Sequence, residues 1–362
     1  MDYETIIHDQ LSSMDLSELE ELTRDAGAGS TFEDVTVAQI VDDLLKGRPI
    51  FDSDRILDDL MQLFIMEVKS SVLLGCEILT VCIVIGLLTN FSGSFGKSTV
   101  SSLGTVICSF VVIALCIGSF YQTYGYCCDA VNTMTSTMLI LLPVMIPLLV
   151  SMGGISSGSI LDPVIMGAVT GFDFIMQHIV LPLVFLSAIF VMINSITEKD
   201  YISKLSVFLR RCALFTVGLC ITIFSGITAV QGLITKSADG ILINTARFSI
   251  DNFVPIIGGF AADSLEMVIS CIGLIKNAVG IIGIIAVITV IAMPVIKVAA
   301  IAVIYKITAI AAEPVASKNI SDSLSEIGNA AVTMAVILAA AAMMFLVFIT
   351  VLMGIGGGSL WK

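Results

Sequence analysis

Three polar side chains, two of which could carry protons, lie in one long apolar run of the sequence. They are Asp173, Gln177 and His178, and the first two are four residues apart, which puts both on one face of a helix. A carboxylate near an imidazole inside an apolar segment is typical of a proton relay. A helix-end aspartate and a hydrogen-bonded structural histidine also explain the pattern, and we favour this structural interpretation.

Charged residues in other apolar runs form a second group. Glu77 lies in the first run, and Lys276, Asn277 and Lys297 lie in the C-terminal third of the chain. Because a charge is costly in lipid, each is expected to face a partner or a wet cavity. The sequence therefore predicts that Glu77 pairs with Lys276 or Lys297. The pair would act either as structural glue or as the lining of an aqueous path.

Other kinds of chemistry have no support in the sequence. His8 is the only other histidine, which leaves no set of zinc ligands. We find no phosphate-binding loop, nucleophile elbow or dinucleotide fingerprint. Seven of the nine cysteines lie in apolar runs, where Cys usually packs as a small hydrophobe. We expect no catalytic residue, no metal and no cofactor, and we interpret the chain as a protein that is not an enzyme.

The composition is that of a polytopic membrane protein. Hydrophobic residues make up 57% of the 362 residues and charged residues 13%, whereas soluble domains contain about 25% charged residues. The acidity is concentrated at the start, because residues 1–60 hold 16 acidic and 4 basic side chains. Without a basic stripe the chain is not expected to bind nucleic acid. The expected surroundings are a lipid bilayer and other proteins.

The predicted fold is an all-α, polytopic membrane helix bundle with broken or re-entrant helices. Residues 1–70 are predicted to form an acidic, extracytoplasmic region of amphipathic helices, and residues 71–362 the transmembrane domain. Apolar runs of about 20 residues, the length that crosses the hydrocarbon layer, mark the spans. The predicted spans lie near 71–91, 102–122, 164–195, 212–230, 267–293, 295–312 and 330–353.

Two further segments, near 134–154 and 238–262, are predicted to be broken or re-entrant, because proline, glycine and polar residues interrupt them. A loose internal repeat relates the two segments, and paired breaks of this kind often mark the centre of transport folds. The residues predicted for this centre are Glu77, Pro143, Pro147, Gly153, Gly154, Asp239, Pro255, Gly258, Gly259, Lys276, Asn277, Pro294 and Lys297.

Basic residues are densest in the connector at 197–211. An excess of Lys and Arg predicts a cytoplasmic loop, and it also suggests a docking surface. With the acidic N-terminal region outside the cell, this orientation requires that the segment at 134–154 does not cross the membrane. The predicted docking residues are Lys199, Lys204, Arg210 and Arg211.

The order of these features resembles the stage III sporulation protein AE family of endospore-forming bacteria. The resemblance runs from about residue 40 to the C-terminus, and the block at 238–294 is its most specific part. The motifs that carry it are Leu44-Leu45-Lys46-Gly47, Leu142-Pro143, Gly153-Gly154, Asp162-Pro163, Ala238-Asp239-Gly240, Thr245-Ala246-Arg247-Phe248, Phe253-Val254-Pro255-Ile256-Ile257-Gly258, Lys276-Asn277-Ala278-Val279-Gly280, Pro294 and Glu313-Pro314.

The resemblance implies a multi-pass protein of the mother-cell membrane that surrounds the forespore. It implies membership of a channel-like, secretion-like complex that joins the two cells and supports the engulfed forespore. The implied partners are a cytoplasmic secretion-type ATPase, ring-forming proteins of the intermembrane space and a forespore-side protein. Members typically begin with a signal-like segment. No such segment is evident here, which is consistent with a mature form.

Three hypotheses remain open at this point. The first is a membrane component of a conduit between two cells, with no chemistry of its own. The second is a self-sufficient secondary transporter for a small solute, with Asp173 and His178 as coupling groups. The third is a scaffold without a permeation path. The cargo, the oligomeric state and whether one copy forms a pore are not specified by the sequence.

Overall fold

The computed structural model describes residues 53–95, 99–151, 155–196, 203–253, 258–316 and 318–354, and every regular element among them is a helix. This confirms the all-α fold. The helices are α1 (Ser53–Phe95), α2 (Thr99–Ser151), α3 (Ile155–Ile175), a π-helical turn (Met176–Val180), α4 (Leu181–Ile196), α5 (Ser203–Phe253), α6 (Gly258–Ala312) and α7 (Lys318–Gly354).

Helix α6 lies at the centre of the bundle. It packs against α1, α2, α5 and α7, and its contact with α7 is the most extensive in the described structure. Consecutive positions such as Cys271, Ile272 and Gly273, and again Ala278, Val279 and Gly280, are all buried, so the helix is covered on more than one side. A helix that is apolar around most of its circumference suits such a central position, where other helices cover it, as well as contact with lipid. One contiguous apolar core surrounds it.

Six helical segments of the described structure are long and apolar enough to cross a membrane, which supports a multi-pass membrane protein. Two of them contain 43 and 42 residues, whereas about 20 residues span the hydrocarbon layer. The six segments are Leu60–Leu87, Val106–Leu148, Pro163–Asn194, Ser203–Val230, Cys271–Ala312 and Asn319–Val351.

The prolines do not break the helices as predicted. Pro143 and Pro147 lie inside α2, and Pro294 lies inside α6, so the two spans expected near 267–293 and 295–312 are one continuous helix. A proline removes one backbone hydrogen bond, whereas ending a helix in lipid would leave several backbone groups without partners. The continuous helix is therefore the less costly arrangement. The predicted break at Gly153 and Gly154 lies outside the described residues.

The second predicted break is also shifted. The segment expected to be broken from residue 238 is helical up to Phe253, where α5 ends. Helix α6 then begins at Gly258, and Pro255 lies between them, outside the described residues. The polar residues at 238–253 therefore extend α5, because their backbone groups are satisfied within the helix.

Two predicted boundaries fall inside helices. The limit between the N-terminal region and the membrane domain, set at residue 70, lies within α1, which runs through it without interruption. The connector predicted at 197–211 is shorter, because α5 already begins at Ser203. Both stretches carry charges on one side and apolar residues on the other, a pattern that a helix accommodates without ending. The region 1–52 lies outside the described residues.

Glycines allow α1 to approach α6 closely. A Cβ atom on Gly75 would lie 2.9 Å from Ile304 Cγ2 and from Thr308 Oγ1, and one on Gly86 would overlap the carbonyl oxygen of Val315. Small residues at such positions let membrane helices pack at short distance, where dispersion contacts are strongest. Close packing at these glycines therefore positions α1 against the C-terminal end of α6.

Candidate functional site

The first polar cluster joins α2 to α3 and to the π-helical turn that follows it. Gln177 Nε2 donates a hydrogen bond of 2.7 Å to Asp173 Oδ1, and Thr135 Oγ1 donates one of 3.2 Å to the same oxygen. Two donors therefore hold the Asp173 carboxylate between helices. This arrangement matches the structural interpretation of Asp173.

His178 is not part of that cluster. Its ring stacks on Phe174 with 4.5 Å between centroids, its Nδ1 lies 3.2 Å from the Phe174 carbonyl oxygen, and its side chain is exposed. The structure thus does not assemble Asp173 and His178 into a relay. Sequence reasoning missed the π-helical turn at Met176–Val180, since its wider hydrogen bonding has no local sequence signature.

The second polar cluster joins α5 to α7. Arg210 Nη2 lies 2.8 Å from Glu326 Oε2, and Asn329 Nδ2 donates a hydrogen bond of 2.8 Å to Glu326 Oε1. The Arg210 side chain is 13% exposed and that of Glu326 38%. This salt bridge links residues that are 116 positions apart in the sequence.

A polar cavity of about 480 Å³ adjoins this salt bridge. It lies where α4 ends and where α5 and α7 begin, at the same end of the bundle as the connector. Ser187 Oγ donates to the Ser206 carbonyl oxygen at 2.9 Å and so fastens α4 to α5 there. Polar residues dominate its lining, which consists of Val191, Asn194, Ser203, Ser206, Val207, Asn319, Asp322, Ser323, Ser325 and Glu326.

The lysines of α6 occupy three different environments. Lys276 is 1% exposed, within the core, and Asn277 beside it is half-buried. Lys297 Nζ lies 4.1 Å from the centre of the Tyr126 ring, a cation–π contact. Lys306 Nζ donates to Ser325 Oγ at 3.1 Å.

The predicted pairing of Glu77 with Lys276 or Lys297 is wrong. The Glu77 side chain is exposed on α1, Lys276 is buried in α6, and Lys297 faces an aromatic ring. Pairing depends on how each helix is rotated about its axis, which the position of a residue in the sequence does not reveal. Glu326, which does form a salt bridge, was not predicted as a site residue. It lies among other polar residues in the first turns of α7, where an acidic side chain does not stand out.

The other predicted residues are dispersed. Pro143 and Pro147 are exposed on α2, and Pro294 is half-buried in α6. Gly258 and Gly259 form the start of α6, and Asp239 belongs to α5. Among the predicted docking residues, Lys204 and Arg211 are exposed, whereas Arg210 is engaged by Glu326 and Lys199 lies outside the described residues. Arg210 therefore makes a contact within the chain, and its docking role stays a prediction.

The sequence matches the family described as Stage III sporulation protein AE over residues 35–356. The chain belongs to the stage III sporulation protein AE family. It is similar to the Stage III sporulation protein AE of Bacillus subtilis (strain 168), with 34% identity over 286 residues, which cover 78% of this chain and 71% of the relative. No solved structure matches the chain. Membership of this family confirms the resemblance and supports a role in sporulation.

Proposed function

We propose that the chain is an integral membrane component of a channel-like, secretion-like complex between mother cell and forespore. The observation that carries this proposal is the family match over residues 35–356. In this proposal the protein resides in the mother-cell membrane around the forespore and has no enzymatic activity. Its partners are a cytoplasmic secretion-type ATPase, ring-forming proteins of the intermembrane space and a forespore-side protein.

The described structure favours a component of an assembly over a self-sufficient transporter. Its core is contiguous and apolar, and its polar cavity of about 480 Å³ lies at one end of the bundle. Exposed cations at the start of α5, Lys204 and Arg211, are available to an acidic partner surface. Deleting the gene in its own host and counting heat-resistant spores tests the proposal. A deletion strain that sporulates as the parent does would contradict it.

We predict that the double variant Lys204→Glu and Arg211→Glu lowers the number of heat-resistant spores at least tenfold. Both side chains are exposed, so the chain is expected to reach the membrane in normal amounts and to lose only an electrostatic contact with its partner. Immunoblots of membrane fractions measure the amount of protein, and co-purification measures the contact. The matched control is Lys204→Gln with Arg211→Gln, which is expected to show a smaller defect than charge reversal.

A self-sufficient transporter predicts a different set of essential residues. We expect the double variant Asp173→Asn and His178→Ala to sporulate within about threefold of wild type. The amide introduced by Asp173→Asn still offers an oxygen to Gln177 and Thr135, and His178 is exposed and separate from Asp173. Spore counts check this. Loss of sporulation by the double variant, with normal protein levels, would support the transporter and contradict the conduit.

A further inference from the structure

We propose that one face of α2 lines a water-filled path that is closed by further copies of this chain. This polar face consists of the exposed side chains Gln122, Asp129, Asn132, Thr133 and Ser136. The proposal rests on the proposed function and deepens it, because it names the part of the chain that meets the aqueous path and the partner that completes it.

The spacing of these residues defines a single stripe. Intervals of seven, three and four residues return to the same side of an α-helix. The opposite side of the same stretch is buried in the core through Phe120, Cys127, Val131, Met134 and Met138. The rotation of α2 is therefore fixed by its packing, and the polar face points away from the bundle.

The exposed surface of α2 changes character along the helix. Nearer its start, the exposed side chains are Val106, Ile107, Phe110 and Val111, which suit contact with lipid. Between Gly118 and Pro147, Tyr121 is the one large hydrophobic residue whose side chain is exposed. The Thr133 hydroxyl donates a hydrogen bond of 2.8 Å to the Asp129 carbonyl oxygen within the helix. Lipid in contact with the polar face would still leave the Asp129 carboxylate and the other polar side chains without water to bond to, which is costly.

A comparison with the neighbouring helix shows that depth in the membrane does not by itself explain why this face of α2 is polar. Tyr124 of α2 contacts Phe185, and Thr135 bonds to Asp173, so the two helical segments run antiparallel. Asp129 precedes Thr135 by six residues, and Ile179 follows Asp173 by six residues. Because the segments are antiparallel, Asp129 and Ile179 lie at a similar height along the bundle. Ile179 and Phe174 are exposed, 42% and 57%, and are apolar, and one exposed polar ring, that of His178, is stacked on Phe174. At one level, then, the molecule presents mainly apolar residues on one side and a carboxylate with several polar side chains on another.

A second copy of the chain fits the polar face better than lipid does. The amide side chains and the hydroxyls both donate and accept hydrogen bonds, so identical faces are compatible around a rotation axis. Asp129 has no salt bridge to a described residue, and like carboxylates repel at short range. Copies would therefore keep the Asp129 side chains apart around water. A ring of carboxylates favours cations over anions in the path.

The test uses cysteine substitutions in the full chain, in membranes, after the nine native cysteines are replaced by serine or alanine. Asn132→Cys and Ser136→Cys report on the polar face, and Phe174→Cys and Ile179→Cys are controls at similar levels. We expect a membrane-impermeant cationic thiol reagent to label the first pair at least tenfold faster than the second. Equal labelling of both pairs would overturn the water-lining assignment.

Cross-linking tests the occupant. Oxidation of Ser136→Cys is expected to give a disulfide-linked homodimer, and Phe174→Cys is expected to give none. Incorporating a photoreactive phenylalanine derivative at 136 or 174 in the chain with its native cysteines repeats the test if the cysteine-free chain fails to accumulate. Cross-links at 136 to a different protein, or no cross-links, would overturn closure by copies of this chain. The deletion phenotype is measured separately, so a homodimer in a strain whose deletion sporulates normally would count against the proposed function alone.

Discussion

Gly86→Leu is expected to reduce folded chain in the membrane at least tenfold. A Cβ at this position would overlap the carbonyl oxygen and the side chain of Val315, in the turn between α6 and α7. That turn is fixed by hydrogen bonds from Val315 N and Ala316 N to the Ala312 carbonyl oxygen, of 3.0 and 2.7 Å. Forcing extra atoms into a packed site costs about 1–3 kcal/mol, and more where backbone is the obstacle.

The matched control is Gly226→Leu, which adds the same side chain to a helix at an exposed position where, apart from the adjoining backbone of the same helix, no atom lies within 4 Å of the new Cβ. Membrane-fraction immunoblots and thermal aggregation in detergent measure the amount and the stability of each variant. Gly86→Ala is expected to fall between wild type and Gly86→Leu. Equal behaviour of Gly86→Leu and Gly226→Leu would mean that α1 does not dock on this turn.

Arg210→Glu is expected to destabilise the bundle far more than Arg211→Glu, the neighbouring charge reversal. It replaces the 2.8 Å salt bridge to Glu326 by two carboxylates. Removing one partner of a buried salt bridge costs about 3–5 kcal/mol, and we reduce this to roughly 1–3 kcal/mol because the Glu326 side chain is partly exposed. Arg211 is exposed, so its reversal is expected to leave stability nearly unchanged.

The exchange of both charges supplies the decisive comparison. Arg210→Glu combined with Glu326→Arg is expected to recover at least half of the lost thermal stability, since the pair is restored in reverse. Melting curves in detergent for the two single variants and the double variant form a mutant cycle. Additive losses in the double variant would show that the two side chains do not stabilise one another in the membrane.

The fold class was predictable because it depends on local composition. Long apolar runs must satisfy their backbone groups within the segment, and only a helix does so in a bundle of this kind. The helix ends were less predictable. Pro143 and Pro294 are strong breakers in water, but in the membrane the cost of exposing backbone outweighs the one hydrogen bond that each proline removes. A rule taken from soluble proteins therefore placed breaks where helices continue.

The candidate site was less predictable still, because it depends on helix rotation and on contacts between distant positions. Glu77 was conspicuous in its apolar run and proved exposed, whereas Glu326 was inconspicuous and is held by Arg210. Asp129 and Asn132 do not stand out in the sequence. Their exposure on the outside of α2 became visible only when the core had fixed which side of that helix faces inward.

The length of α2 and α6 has a consequence for how the protein sits in its bilayer. Their apolar segments of 43 and 42 residues extend about 64 Å at 1.5 Å per residue, roughly twice the thickness of the hydrocarbon layer. Rods of that length either lean steeply or emerge into the water on one side. A thicker or thinner bilayer would then change the angle of both rods together, since each is packed against the other.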